Sequence, residues 1–113
     1  MERDPLLTGT IDLMVLAVLA RQPAHGYAII ADLKLRSGGA MDLPEGTVYP
    51  ALYRLESAGL LRSSATKVEG RTRRVYRVTA AGRAALRERR NAWEELVRNV
   101  SAVIGGAGAA AHG

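Results

Sequence analysis

The sequence lacks cysteine altogether and has only two histidines, His25 and His112. Without cysteine, the chain can form no disulfide bond, no thiolate metal site and no cysteine nucleophile. The other residues show no convincing carboxylate pair, Ser/His/Asp set or cluster of metal ligands. We therefore expect a protein that is not an enzyme and carries no metal or other cofactor. We assign His25 to starting a helix or to packing.

Long apolar runs are also missing. The longest, residues 13–20, is far too short to cross a bilayer, and acidic residues stand near the N-terminus where a signal peptide would carry positive charge. The chain has 113 residues, of which 48% are hydrophobic. This composition suits one closed core and leaves no room for a second, catalytic domain. We expect a soluble protein of the cytoplasm.

Acidic residues are scarce in one stretch of the second half of the chain. Residues 62–90 contain ten basic side chains and two acidic ones, a net charge of +8. Nearly all of the basic residues are arginine, whose planar guanidinium pairs with phosphate oxygens in a bidentate way. The pattern indicates a polyanionic partner, most often a nucleic acid. A solvated charged face would give the same composition.

Hydrophobic spacing predicts two helices near the N-terminus. Residues 8–20 are apolar on almost every side, which predicts a buried helix that Thr8 or Thr10 could cap. A second helix is predicted over Gly26–Arg36, ended by the Gly38-Gly39 pair. Its inward-facing positions are expected to be Tyr27, Ile30 and Leu33.

A third helix is predicted over residues 45–58, followed by Gly59 at a position where a left-handed backbone is needed. Its inward-facing residues are expected to be Val48, Leu52 and Leu55. Pro50 leaves the start of this helix open. If Thr47 caps the helix, Pro50 falls in the first turn and costs nothing, whereas a start near Pro44 puts it inside the helix, where it must bend the axis.

A β-hairpin is predicted next, with strands over Leu61–Val68 and Arg71–Val78 joined by Glu69-Gly70. In the second strand Tyr76 would face the core, together with Val78. The opposite face would carry Arg73, Val75 and Arg77, and the tip would be flanked by Lys67 and Arg71. The hairpin is therefore expected to be a cationic finger.

The last element is a helix over Ala80–Ile104, with Thr79 placed to cap it. Apolar residues recur along one side at the spacing of an interhelical seam, namely Leu86, Trp93, Leu96, Val97, Val100, Val103 and Ile104. A monomer could not bury this whole stripe, so we expect it to form a dimer interface. Trp93 lies mid-seam, where either the partner protomer or a flat aromatic ligand could cover it.

This order of elements is typical of a winged helix-turn-helix domain with an added C-terminal helix, a mainly α fold with a small β-hairpin. We expect a DNA-binding domain over 1–79, a dimerisation helix over 80–104 and a disordered tail over 105–113. The third helix would enter the major groove, and the hairpin would reach adjacent phosphates or the minor groove. The expected readers on that helix are Thr47, Tyr49, Tyr53 and Arg54. Either tyrosine could instead complete the core.

Several short motifs resemble the PadR family of transcriptional regulators. They read HGY at 25–27, EGTVYPALYRLE at 45–56, GLL at 59–61 and RVYRVT at 74–79, followed by Gly82. The resemblance covers residues 6–86. It is specific because the motifs occur together, in this order and at these spacings.

The resemblance implies a dimeric winged-helix repressor whose C-terminal helix forms much of the dimer interface and whose release from DNA is often triggered by a small molecule. It implies DNA-contacting roles for Thr47, Tyr49, Tyr53, Lys67, Arg71, Arg73 and Arg74. It implies core positions for Leu52, Leu55, Leu60 and Tyr76. The chain stops soon after one C-terminal helix, so the multi-helix effector domain of longer members is not expected.

The leading hypothesis is a homodimeric repressor that binds a palindromic operator in double-stranded DNA and is released by a small hydrophobic or aromatic effector. One alternative is a winged helix associated with RNA or the ribosome, which would prefer structured RNA in competition. Another is a protein-interaction module whose arginines contact an acidic partner, which would show no salt-dependent DNA binding.

Overall fold

The computed structural model describes residues 5–105, which form four helices and a three-stranded antiparallel sheet. The elements are α1 (Pro5–Arg21), β1 (Ala24–His25), α2 (Gly26–Arg36), α3 (Glu45–Ser57), β2 (Leu61–Val68), β3 (Arg71–Val78) and α4 (Ala80–Ile104). The strands lie in the order β1-β3-β2. The predicted fold class, mainly α with a β-hairpin in a winged helix, is confirmed.

The hairpin and the final helix have the bounds that were predicted. The differences between prediction and structure lie at the ends of other elements. α1 begins at Pro5, so Thr8 and Thr10 lie inside the helix and do not cap it. α3 begins after Pro44, which settles the open alternative and places Pro50 within the helix. Of the predicted tail over 105–113, all but the first residue lies outside the described residues.

The core is built around α1, which packs against α2, α3, α4 and β3. Because α1 has neighbours on several of its faces, it is apolar on almost every side. Its fully buried residues include Val15, Leu16 and Leu19, which meet Ile29 of α2 and Leu52 of α3 in one cluster. No helix within residues 5–105 is long and apolar enough to span a membrane.

The inward face of α2 differs from the predicted one. Ile29 is completely buried and Leu33 nearly so, whereas the Tyr27 side chain is 57% exposed. The buried positions of the helix are Gly26, Ile29 and Leu33, a spacing that follows the helical period. The prediction that Tyr27 faces the core is therefore wrong, because the buried side of α2 carries Gly26, Ile29 and Leu33 instead.

A two-residue strand, β1, was not predicted. Ala24 pairs with Tyr76 and His25 pairs with Val75, so β1 joins the start of α2 to the outer edge of β3. His25 is also the N-cap of α2, and its Nδ1 accepts a hydrogen bond from the Ala28 N–H at 3.3 Å. The predicted role of His25 in starting a helix is confirmed.

The start of α4 is tied to the loop that follows α3. The Thr79 hydroxyl accepts a hydrogen bond from the Gly82 N–H at 3.0 Å and donates one to the Gly59 carbonyl at 2.7 Å. The Thr79 N–H donates to the Leu60 carbonyl at 3.1 Å. Gly82 lies so near this carbonyl that a Cβ on it would overlap the Leu60 oxygen. Helix α4 can therefore approach this closely only because residue 82 has no side chain.

We predict that Gly82→Ala destabilises the protein. Alanine favours helix over glycine by about 1 kcal/mol, but overlap with a backbone oxygen forces a shift that costs about 1–3 kcal/mol or more. We expect a net loss of about 2 kcal/mol and a fall in Tm of about 10 °C. The matched control is Gly46→Ala in the first turn of α3, where an added Cβ meets nothing within 4 Å. Thermal unfolding at equal protein concentration checks both, and equal stability of the two variants would contradict the close approach.

Candidate nucleic-acid interface

The hairpin of β2 and β3 forms a cationic wing. Its strands pair along their whole length, from Leu61 with Val78 to Val68 with Arg71. Both turn residues are left-handed, Glu69 at φ 52° and Gly70 at φ 79°, the pattern of a tight two-residue hairpin turn. The strands carry Arg62, Lys67, Arg71, Arg73, Arg74 and Arg77. Glu69 is the only acidic residue between Leu61 and Val78.

The charge of the wing is not neutralised within the described part of the chain. Residues 5–105 contain three ion pairs, and these join Lys34 to Asp42, Arg36 to Asp32 and Arg54 to Asp12. None of them includes a residue of the hairpin. A group of six cations without a carboxylate partner produces a positive potential that attracts a polyanion.

The predicted readers on α3 occupy three different environments. Tyr53 is 74% exposed and projects from the surface of the helix. Thr47 is half-buried in the first turn. Val48, Leu52 and Leu55 lie on the buried side as predicted. Tyr53 is therefore the most exposed of the four predicted readers.

Tyr49 is half-buried and turned toward α2, unlike the exposed Tyr53. Its ring lies against the backbone of Gly26, where a Cβ would overlap the phenol group. Burial raises the pKa of the Tyr49 hydroxyl above its ordinary value of 10.0; the neighbouring Tyr27 adds to the rise and Arg73 opposes it. The phenol is therefore neutral at physiological pH and keeps its proton as a hydrogen-bond donor.

Arg54 faces α1, which differs from its predicted outward direction. Its Nη2 donates to Asp12 Oδ1 at 2.7 Å and its Nε to Asp12 Oδ2 at 3.4 Å, a bidentate ion pair. The Asp12 side chain is only 14% exposed. Because this carboxylate is largely removed from water, the pair is worth more than an exposed one and breaking it is costly. Arg54 thus holds the third helix to the first.

A short polar network holds the wing to α3. Glu56 Oε2 accepts hydrogen bonds from the Ser63 hydroxyl at 2.7 Å and from the Ser63 N–H at 3.2 Å. Arg74 Nη1 donates to the Ser63 oxygen at 3.0 Å. The carboxylate therefore fixes the base of β2, and part of the Arg74 guanidinium is used within the protein.

A cleft of about 480 Å³ lies where α2, α3 and the wing meet. It is lined by His25, Gly26, Tyr27, Tyr49, Arg71, Thr72, Arg73, Arg74 and Tyr76. Three of the four predicted wing residues, Arg71, Arg73 and Arg74, thus share one surface with Tyr49. Lys67 lies exposed nearer the tip. Burial raises the pKa of Tyr76 as well, with Glu56 adding to the rise.

The apolar stripe of α4 is exposed over its second half. Trp93 is 41% exposed. The same side of the helix leaves uncovered Leu96, Val97, Val100, Val103 and Ile104. Leu86 differs from these residues because it is 5% exposed and packs in the core of its own chain. The seven predicted interface residues therefore divide into one internal residue and six that are free to meet a partner.

Four residues at these surfaces were given no role of their own in the sequence analysis, although each contacts a predicted site residue or the partner of one. They are Asp12, Gly26, Glu56 and Ser63. Asp12 and Ser63 act on residues distant in the sequence, so local spacing carries no sign of them. A partial sign of the role of Gly26 was present in the sequence, since a glycine at the start of a helix often marks a close approach of another group to the backbone. In residues 5–105 no group of three or more His, Asp or Glu side chains could hold a metal ion.

Comparison with known proteins agrees with the fold and with the motifs. Residues 15–88 match the transcriptional regulator PadR-like family. The chain is 47% identical over 90 residues to transcriptional regulator Rv3488 of Mycobacterium tuberculosis, covering 80% of this chain and 81% of the relative.

Solved structures show the same fold. A PadR family transcriptional regulator from Eggerthella lenta matches with a TM-score of 0.78 and 35% identity, covering 88% of this chain and 85% of that one. A transcriptional regulator from Clostridium thermocellum matches with a TM-score of 0.80 and 24% identity, over 87% of this chain and 96% of that one. The second likeness bears on the fold alone.

The Gly26–Tyr49 contact gives a prediction about the wall of the cleft. Gly26→Ala should lower the free energy of unfolding by about 1–3 kcal/mol, because the new methyl group overlaps the Tyr49 ring. In a Tyr49→Ala background, the same change should cost less than about 0.5 kcal/mol, since the ring is gone. Denaturant unfolding of the unchanged protein, the two single variants and the double variant measures the coupling between the two positions. An equal cost of Gly26→Ala in both backgrounds would show that the ring does not set it.

Proposed function

Since the chain belongs to the PadR-like family of transcriptional regulators, we propose that it binds double-stranded DNA as a homodimer and represses transcription from a palindromic operator. The observation that carries the proposal is the unneutralised wing, whose six cations have no ion-pair partner among the described residues. The place of action would be the cytoplasm, where a bacterial regulator meets its DNA.

The proposed docking places α3 in the major groove and the wing along the phosphate backbone. Tyr53 and Thr47 would contact base edges or phosphates, since a hydroxyl can hydrogen-bond either. Lys67 and Arg71 are exposed and would contact phosphates, which supply affinity without sequence information. Arg54 has no reading role in this proposal because Asp12 occupies its guanidinium.

Selection of bound duplexes from a random pool tests the proposal directly. We expect a palindromic consensus with half-sites about 10 or 20 bp apart, as two docked helices related by two-fold symmetry require. We also expect affinity to fall steeply with salt. Preference for structured RNA in competition would favour an RNA-binding winged helix. Absence of salt-dependent duplex binding would favour an acidic protein partner and contradict DNA binding.

The exposure of Tyr53 gives a prediction about reading. Tyr53→Phe should leave Tm unchanged, because the hydroxyl lies at the surface, and should weaken operator binding about 10-fold to 30-fold. This figure allows about 1 kcal/mol for one hydrogen bond in each of two protomers. Affinity for a duplex of scrambled sequence is the control and should change little. Equal losses on both duplexes would assign the hydroxyl to a phosphate, and no loss on either would remove Tyr53 from the interface.

We propose that the exposed stripe of α4 forms the homodimer interface. Contiguous apolar surface of this kind is rare on a monomer and marks an interaction site. The stripe starts at Leu86 inside the core and continues along the same side of the helix through Trp93 and Val100. A second α4 laid along it would bury the six exposed residues in a short interhelical seam.

Disrupting the seam should dissociate the dimer. Val100→Glu places a charge in the centre of the stripe, and an unpaired buried carboxylate is strongly unfavourable. The matched control is Ala102→Glu, which adds the same charge about 200° away around the helix. Sedimentation at micromolar concentration should show monomers for Val100→Glu and dimers for Ala102→Glu and the unchanged protein. A monomeric unchanged protein would contradict the interface.

We further propose that a small hydrophobic effector binds beside Trp93 and releases the DNA. A groove of about 430 Å³ between α1 and α4 is lined partly by Trp93, Leu96, Leu13 and Arg89. An indole ring over an open apolar groove suits a flat aromatic molecule. Trp93 is the only tryptophan, so all tryptophan fluorescence comes from this position, which belongs to the groove and to the proposed seam. A ligand that quenches the fluorescence without lowering operator affinity would contradict an effector role.

A further inference from the structure

Arg74 differs from the other cations of the wing because a hydrogen bond within the described part of the chain gives it a direction. Its Nη1 donates to the Ser63 oxygen at 3.0 Å, although the arginine is exposed. No ion pair within residues 5–105 includes Arg74. A guanidinium has five N–H donors, so this bond orients the group and leaves its charge and its remaining donors for a partner.

Ser63 connects Arg74 to helix α3. A hydroxyl has one proton to donate, and Ser63 donates it to Glu56 Oε2 at 2.7 Å. The lone pairs of the hydroxyl oxygen are therefore left for Arg74. The Ser63 N–H donates to the same carboxylate oxygen at 3.2 Å, so the serine is held at two points. A hydrogen bond to a carboxylate is stronger than one between neutral groups, and it polarises the hydroxyl in favour of the guanidinium.

The register of the hairpin places these groups on one side of the sheet. Ser63 pairs with Tyr76 and Ala65 pairs with Arg74, so Arg74 is the diagonal neighbour of Ser63. This side of the sheet carries the buried Tyr76 and faces the core. The adjacent Ser64 lies on the opposite side and is exposed. The two neighbouring serines are thus in different environments, and only the first can join the wing to α3.

The carboxylate of this network comes from the helix that carries the most exposed predicted reader. Glu56 is three residues after Tyr53, about one turn further along α3. Three hydrogen bonds therefore lead from the end of α3 to a cation of the wing. Because Glu56 and Arg74 form no direct ion pair, the carboxylate orients the arginine without neutralising it by contact.

We propose that Glu56 and Ser63 are positioning residues for DNA binding, which hold Arg74 in one direction relative to α3. The inference rests on the proposed DNA-binding function and adds to it two residues that act without touching DNA. An arginine that is already oriented loses less rotamer freedom on binding than a free one. It would also lie at a constant distance from Tyr53, so that the wing and α3 meet the same duplex in one register.

Side-chain NMR of the free protein tests the orientation without DNA. The guanidinium of Arg74 should be more ordered than that of Arg71, which is exposed. Ser63→Ala should lower the order of Arg74 to the level of Arg71, because the acceptor is lost. The matched control is Ser64→Ala, which removes a hydroxyl from the other side of the strand and should leave Arg74 unchanged. Equal order of Arg74 in the unchanged protein and in Ser63→Ala would overturn the proposal.

Operator affinity tests the consequence for binding. Ser63→Ala should weaken binding of the selected operator about 10-fold to 30-fold, because an arginine in each of two protomers loses its direction. Affinity for a duplex of scrambled sequence should change less than about 3-fold, since the charge of Arg74 remains and attracts any duplex. Ser63→Thr keeps the hydroxyl and should bind the operator within about 3-fold of the unchanged protein, as should Ser64→Ala. Equal losses on both duplexes would overturn the proposal.

A double-mutant cycle shows whether Ser63 acts through Arg74. In an Arg74→Ala background, Ser63→Ala should weaken operator binding less than about 2-fold, because the group that it positions is gone. Glu56→Gln replaces it if Ser63→Ala has a lowered Tm; its neutral amide should give a smaller loss that also disappears without Arg74. Additive losses in these cycles would overturn the proposal and leave DNA binding intact. Failure of the unchanged protein to bind any duplex would contradict the proposed function, and the positioning role with it, even if Arg74 is ordered.

Discussion

The close approach of Gly82 to the Leu60 carbonyl fixes the point at which α4 leaves the winged helix. Thr79 strengthens this junction, since its hydroxyl joins the carbonyl of Gly59 to the first turn of α4. The same junction ends α3 and begins β2, so one contact sets the relative positions of α3, the wing and α4. An interface on α4 therefore has a defined geometry relative to the surface on α3.

The wing combines an unbalanced charge with a firm attachment. Mutual repulsion among its cations opposes the folded hairpin, and a flexible wing would relieve that repulsion by moving away. Full-length strand pairing and the hydrogen bonds from Ser63 to Glu56 hold the wing against α3 instead. Only Arg74 is drawn into that network. The cost of repulsion is thus kept in the free protein, and the proposed binding of DNA would relieve it.

The sequence predicts the elements well where local patterns decide them. The hairpin bounds follow from Glu69-Gly70 and from alternation along the strands, both of which act within a few residues. The environments of individual side chains are harder to predict from the sequence, because they depend on residues far apart in the chain. Arg54 has its partner 42 positions earlier, and Tyr49 takes its direction from Gly26. β1 could not be predicted because two residues are too few to show a periodic pattern. The burial of Leu86 could not be predicted because helical spacing alone does not distinguish a core position from an interface position.

Helix α1 is the element through which the two proposed surfaces are connected. α4 packs on α1 and β3, and α3 packs on α1, α2 and β2. Asp12 takes part on both sides, since it binds Arg54 of α3 and also lines the groove beside Trp93. Because its carboxylate is largely buried, losing Arg54 would leave a charge poorly solvated, which keeps the pair closed. α1 therefore touches both α3 and α4, and this ion pair is its polar contact with α3.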